Sequence, residues 1–155
     1  MAEGLREEIR QRLPFESLEQ EAFLNIVRTA AVLSDSFERM LRPSGITAAQ
    51  YNALRILQGG EPQGLCRNEV RDRMLTRMPD MTRLLDRLEA AGLVSRVRDA
   101  EDRRVVTTRI TSAGRQLLQD LAARVRQEHG RRLGHLNEAQ LRTVIELMSR
   151  LRQRP

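Results

Sequence analysis

The chain has 155 residues, 40% of them apolar but only 3% aromatic, with no Trp and a formal net charge of +6. That length suits one domain, or one domain with a helical extension, built on a core of Leu, Val, Ile, Ala and Met. No apolar run approaches the roughly 20 residues of a membrane span, and the charged stretch Met1 to Arg12 lacks a signal-peptide core, so the expectation is a cytoplasmic protein with no membrane partner.

In chain order, Leu5, Ile9 and Leu13 have i, i+4 spacing and predict a short helix before Pro14. A long helix follows from Leu18 to Leu41, with Phe23, Ile26, Val27, Ala30, Leu33, Phe37 and Leu41 as its apolar face. Arg42-Pro43-Ser44-Gly45 breaks it. Thr47-Ala48-Ala49-Gln50 is a capping box, and Ile46 and Tyr51 stand where a hydrophobic staple would close. That helix ends at Gly59-Gly60. Leu65 then offers a brief strand. Arg67 to Leu75 is the next helix, with Val70 and Met74 inward, and a turn lies near Thr76 to Met78.

The next helix carries Met81, Leu84, Leu85 and Leu88 at i, i+3, i+4 and i+7, one apolar stripe with Asp80, Arg83 and Arg87 opposite. Pro79 suits a first helical turn, which predicts a start near Arg77 to Pro79, and Gly92 suits the C-terminal cap. Val94 to Arg98 and Val105 to Ile110 are short, β-branched and studded with arginine, as strands of a hairpin. Their loop, Asp99 to Arg104, holds three acids and two arginines. In isolation, a solvated turn explains that composition equally well. Thr111 caps a helix with Leu117, Leu118, Leu121 and Val125 inward, ending near Gly130 to Gly134. Asn137-Glu138-Ala139-Gln140 opens a last helix striped by Leu141, Val144, Ile145, Met148 and Leu151.

Helix, turn, helix and charged hairpin, with arginines at both exposed places, is an arrangement for holding DNA: the helix fits a major groove and the hairpin reaches backbone or minor groove. The charge agrees. Residues 67 to 115 carry 12 Arg against 8 Asp or Glu, so +4 of the net charge sits in about a third of the chain. All 27 basic residues are Arg. Arginine favours bidentate contacts to phosphate and guanine, although GC-rich codon usage accounts for the bias as well.

Asp86-Arg87-Leu88-Glu89, Gly92-Leu93-Val94, Asp102-Arg103-Arg104, Ile110-Thr111 and Gly114 follow one another at spacings that resemble the winged helix-turn-helix of the MarR (multiple antibiotic resistance regulator) family. The match is ungapped from about Met81 to Leu118, and the element order outside it agrees. The resemblance implies a mainly α fold with a small β-hairpin wing: N-terminal dimerisation helices over 1–45, a winged helix-turn-helix over 46–114, and C-terminal dimerisation helices over 115–155. It also implies a homodimer on double-stranded DNA with a pseudo-palindromic operator, a repressor released by a small-molecule effector. The terminal stripes point the same way, because an apolar helix face must be buried somewhere. Packing only on the helix's own domain is the alternative.

For the DNA contacts, Arg83 is assigned to the groove and Arg87 to phosphate; the competing reading is a solvated face with ion pairs such as Arg83 with Asp86. Arg77, Pro79, Asp80 and Thr82 lie near the helix N-terminus, which the helix-turn-helix points into the groove. Asp80 suits either a cytosine amino group or the helix dipole. In the family's wing motif Asp102 orients Arg104 into the minor groove, and Arg103 contacts phosphate. Phe37, Met40, Tyr51, Asn52, Arg55 and His129 are the candidates for an effector cleft, though each is also an ordinary core or solvated residue.

Cys66 is the single cysteine and forms no internal disulfide. The family's peroxide-sensing cysteine lies in the first long helix, where this chain has none, so Cys66 reads as an incidental thiol. His129 and His135 do not make a metal site of ordinary ligand spacing. No nucleophile triad, phosphate loop or metal motif supports an enzyme, and no cofactor is expected. A sequence-tolerant architectural DNA- or RNA-binding protein is the alternative function; it would want stacking aromatics, and the chain has three Phe and one Tyr.

Overall fold

The structure, a computed structural model, describes residues 4–98 and 106–153. The chain forms two compact units, Met1–Arg39 and Met40–Pro155.

In the first unit α1 covers only Leu5–Glu8, and α2, Leu18–Leu41, begins where the apolar pattern begins. The Leu5, Ile9, Leu13 spacing predicts a longer α1 than forms. Arg10 takes a left-handed φ of 54° and ends it, leaving Leu13 75% exposed. A helix of two or three turns has little stability of its own, and with Leu5 buried but Ile9 exposed the packing does not sustain a second turn. The Arg28 Nε of α2 donates to Glu8 Oε1 at 2.7 Å. Phe23 and Val27, on the predicted apolar face of α2, are 65% and 51% exposed in this single chain.

In the second unit a 3-10 turn at Arg42–Ser44 precedes α3, Ala48–Gly59. Its capping box closes in both directions: Thr47 Oγ1 accepts from Gln50 N at 3.2 Å, and Gln50 Oε1 accepts from Thr47 N at 2.9 Å. Ile46 and Tyr51 are both buried, as the staple requires. There follow β1 (Leu65–Cys66), α4 (Arg67–Arg73), α5 (Met81–Ala90), β2 (Val94–Arg98), β3 (Val106–Ile110), α6 (Ser112–Leu133) and α7 (Glu138–Arg152). The strands form an antiparallel sheet in the order β1-β3-β2, with Leu65 and Arg96 both opposite Thr108. Leu65 does supply the brief strand expected of it.

The core of this unit sits where α3 meets α4, α5, α6 and the sheet. Leu54 and Leu57 of α3, Val70 of α4, and Leu85 and Leu88 of α5 are almost fully enclosed. Each such side chain contributes roughly 1.5–3 kcal/mol by leaving water. The base of the wing is anchored at Gly114, where the start of α6 lies so close to β2 and β3 that a Cβ would collide with the Leu93 carbonyl and the Ile110 side chain. Thr111 caps α6 by accepting from Gly114 N at 3.1 Å.

α7 is well started and poorly covered. Asn137 and Gln140 make a reciprocal capping box, yet no residue of the helix is buried. Val144, Ile145, Leu147 and Leu151 are 43%, 69%, 48% and 63% exposed. No helix among the described residues is long and apolar enough to cross a membrane.

Candidate nucleic-acid interface

The site is built around α5. Its apolar stripe, Met81, Leu84, Leu85 and Leu88, is buried as predicted, which turns the opposite face outward. The helix does not start near Arg77 to Pro79, however. Its first residue is Met81, and the N-cap is Asp80, whose Oδ1 accepts from Arg83 N at 2.9 Å. A carboxylate that satisfies a free N–H of the first turn outcompetes the weaker preference of proline for position N1, so Pro79 stays outside the helix. Asp80 therefore has a structural role in the free protein, alongside any base it reads.

At the other end, Gly92 N donates to the Glu89 carbonyl at 2.8 Å and Leu93 N to the Leu88 carbonyl at 3.0 Å. This is a Schellman motif, and it needs the left-handed φ of 71° that Gly92 supplies. The chain leaves it directly into β2. Thr111 Oγ1 donates to the Gly92 carbonyl at 2.7 Å, tying the start of α6 to the same corner.

Two tertiary bonds fix how α5 is held. The first comes from α3: Asn52 Oδ1 accepts from Leu75 N at 2.9 Å, in the turn between α4 and α5. α4 ends at Arg73 rather than Leu75, because Met74 adopts an extended conformation, and this turn is where the freed N–H must be satisfied. The second comes from the wing. Arg96 of β2 donates through Nε and Nη2 to Glu89 at 2.9 and 2.5 Å and through Nη2 to Asp86 at 2.5 Å. Hydrogen bonding from Arg96 holds the Glu89 carboxyl below its ordinary pKa, and that same bond raises the guanidinium's. Asp86 is thus committed to the wing, not to Arg83.

Among the described residues, Arg77, Arg83 and Arg87 are exposed and have no ion-pair partner. Thr82 is also exposed, and its Oγ1 accepts from Arg67 Nη1 at 3.2 Å. A cleft of about 490 Å³ opens between α4, α5 and the sheet, with Arg67, Asn68, Thr82, Arg96 and Thr108 among its walls. The wing-tip assignments, Asp102, Arg103 and Arg104, lie outside the described residues.

The effector candidates are spread over three helices. Tyr51 is buried on α3, Asn52 is engaged with the turn before α5, and Arg55 is exposed one turn further on. Met40 is half-buried and its carbonyl accepts from Arg124 Nη2 at 2.6 Å, while His129 is exposed on α6. Phe37 belongs to the first unit. Sequence reasoning missed Arg96 and Arg67. Arginine on a strand and arginine at a helix start carry no local signal of what they will hold.

The MarR family model matches residues 44–105, the segment from the end of the 3-10 turn into the wing. The crystal structure of a MarR transcription factor from Planctomyces limnophilus is 43% identical, covers 88% of this chain and 98% of its own, and superposes with a TM-score of 0.70. The HTH-type transcriptional regulator FarR of Neisseria gonorrhoeae is 26% identical over 117 residues, 76% of this chain and 79% of that protein. Bordetella bronchiseptica BpsR, whose DNA binding is regulated by 6-hydroxynicotinic acid, has a TM-score of 0.78 at 23% identity, over 92% of this chain and all of its own, which speaks for the fold. With a MarR transcription factor 43% identical over 88% of this chain and the family model matching the segment that holds α5, this chain belongs to the MarR family of DNA-binding transcriptional regulators.

Proposed function

We propose that the protein acts as a homodimeric repressor that seats one α5 from each protomer in successive major grooves of a pseudo-palindromic operator. The observation carrying this reading is that α5 is buried on one face and on the other presents arginines that have no carboxylate partner among the described residues. Two-fold symmetry sets the half-sites one DNA turn apart, about 34–36 Å. Arg83 reads a base edge, and Arg87 and Arg77 contact phosphate. Asp80, Pro79 and Thr82 shape the end of the helix that enters the groove. Asp102, Arg103 and Arg104 form the wing tip, with Arg104 in the minor groove. The second protomer covers the apolar face of α7.

A small-molecule effector releases the protein from DNA; the DNA binding of the structural neighbour BpsR is regulated by 6-hydroxynicotinic acid. Phe37, Met40, Tyr51, Asn52, Arg55 and His129 are its proposed contacts. The protein works in the cytoplasm, where the operator is. The test is selection of duplexes from a random-sequence pool, followed by titration in rising salt. A regulator enriches a palindrome and binds it far more tightly than random duplex. Six to ten phosphate contacts then weaken binding by ~10³–10⁵ between 50 and 200 mM salt. Equal affinity for every duplex favours the architectural alternative.

A further inference from the structure

Between the start of α4 and the end of β2 the arginines divide into two groups. Arg71 pairs with Asp72 at 3.0 Å, Arg73 with Glu69 at 4.0 Å, and Arg96 with Asp86 and Glu89 at 2.5 Å. Among the described residues Arg67, Arg77, Arg83, Arg87 and Arg98 have no such partner. Arg67 stands out within the second group because it is placed by a hydrogen bond. Its Nη1 donates to Thr82 Oγ1, in the first turn of α5. The acids nearest it on α4 are already occupied: Glu69 accepts from the Cys66 N–H at 2.8 Å as well as facing Arg73, and Asp72 holds Arg71.

We infer that Arg67 grips a DNA phosphate at the edge of the groove that α5 enters, and that Thr82 is the positioning residue that holds its guanidinium there. This rests on the DNA-binding reading above and adds a residue to it. A guanidinium has five donors in a fixed plane, and one bond to Thr82 leaves the fork free for a bidentate contact. In a helix-turn-helix the first helix crosses the sugar–phosphate backbone while the second lies in the groove. A cation tethered between the starts of α4 and α5 therefore falls where the backbone passes from one helix to the other. Asn68, on the same cleft wall, adds a neutral donor. Phosphate contacts fix register without reading sequence. Thr82 acts through Arg67 by accepting from its Nη1, which fixes the plane of the guanidinium.

The experiment uses the full-length chain, the duplex it selects from a random pool, and a random duplex. Replacing Arg67 by Ala lowers affinity for both by a similar factor. It also flattens the slope of log K against log salt by about 1.8 for a dimer, at ~0.9 per lost phosphate contact. Arg67→Gln, which removes the charge but keeps a donor for Thr82, flattens the slope equally. Arg67→Lys restores it. Thr82→Val weakens binding less, and its effect vanishes when combined with Arg67→Ala. An unchanged slope in Arg67→Ala and Arg67→Gln overturns the assignment, as does a change of preference at one base pair or a Thr82→Val effect that persists in the double variant. Wild-type protein that binds no duplex overturns the regulator reading itself. Wild type that binds steeply while the Arg67 variants match it overturns only the role of Arg67.

Discussion

The wing corner and α7 solve the same problem in opposite ways. Both begin with good local chemistry, a capped helix start in each case. At the wing corner three successive features find partners within the chain: the Schellman turn at Gly92, the Arg96 pairs to Glu89 and Asp86, and Thr111 bonded back to Gly92. On α7 the capping box is followed by fifteen helical residues of which none is buried. The winged segment is therefore organised by its own sequence, whereas α7 carries an apolar face on which no residue is buried. An amphipathic stripe that stays in water gains nothing from its periodicity. Disrupting each region separately should show that one is needed for folding and the other for assembly.

The largest effect is expected at α7. Replacing Ile145 and Leu151, 69% and 63% exposed in the single chain, by Asp should halve the sedimenting mass and remove operator binding, with the winged segment still folded by amide exchange. Two charges in a dimer core lack both solvent and partners, and their burial is prohibitive. A double variant that still sediments as a dimer would place the interface elsewhere. Next comes Gly114→Ala, which pushes a methyl into the Leu93 carbonyl and the Ile110 side chain. Overpacking of this kind costs about 1–3 kcal/mol, more where the obstacle is backbone. It should appear as a lower denaturation midpoint with the wing's amides losing protection first.

Removing the N-cap of α5 should do less. Asp80→Ala leaves Arg83 N without its acceptor and costs about 1 kcal/mol. Asp80→Asn should recover most of that loss, because an amide oxygen also caps. If Asp80→Asn recovers stability but not operator affinity, the carboxylate also meets DNA. If Asp80→Ala leaves the melting temperature unchanged, the cap is not a source of stability.

What the sequence revealed follows the range of each interaction. The capping boxes at Thr47 and Asn137 and the cap at Thr111 join residues three apart, and a reader of the chain can see both partners at once. The α5 stripe is legible for the same reason, and it orients the exposed arginines correctly. The start of α5 was misplaced because two local preferences, Pro79 at N1 and Asp80 at the N-cap, compete within two residues, and only geometry shows which wins. α1 stops after one turn: of its three spaced apolar residues Leu5 is buried, while Ile9 and Leu13 stay exposed and give a second turn nothing to pack against. Asn52 and Leu75 are 23 residues apart, and Arg67 and Thr82 are 15 apart. Nothing in either local pattern announces the other end. Arg96 is the instructive case: it looks like any charged strand residue until the Schellman turn folds β2 back along α5.

That fold-back gives the smallest expected effect and the sharpest sign. Glu89 is held below its ordinary pKa near 4.5, chiefly by the hydrogen bond from Arg96. A carboxyl whose folded pKa is depressed stabilises the fold fully above its unfolded value, and the contribution fades as pH falls through the folded value. The stability difference between wild type and Glu89→Gln should therefore be constant at neutral pH and shrink below about pH 4.5. The effect is modest, because the Glu89 side chain is 40% exposed and solvent screens the pair. Its location is more informative than its size. Exchange of the β2 amides, Arg96 above all, should quicken in the variant at neutral pH and match wild type in acid, while α7 amides respond in neither. A difference that instead grows on acidification would mean that the Glu89 carboxyl is favoured protonated in the fold, and the wing clamp would then have to be assigned to Asp86 alone.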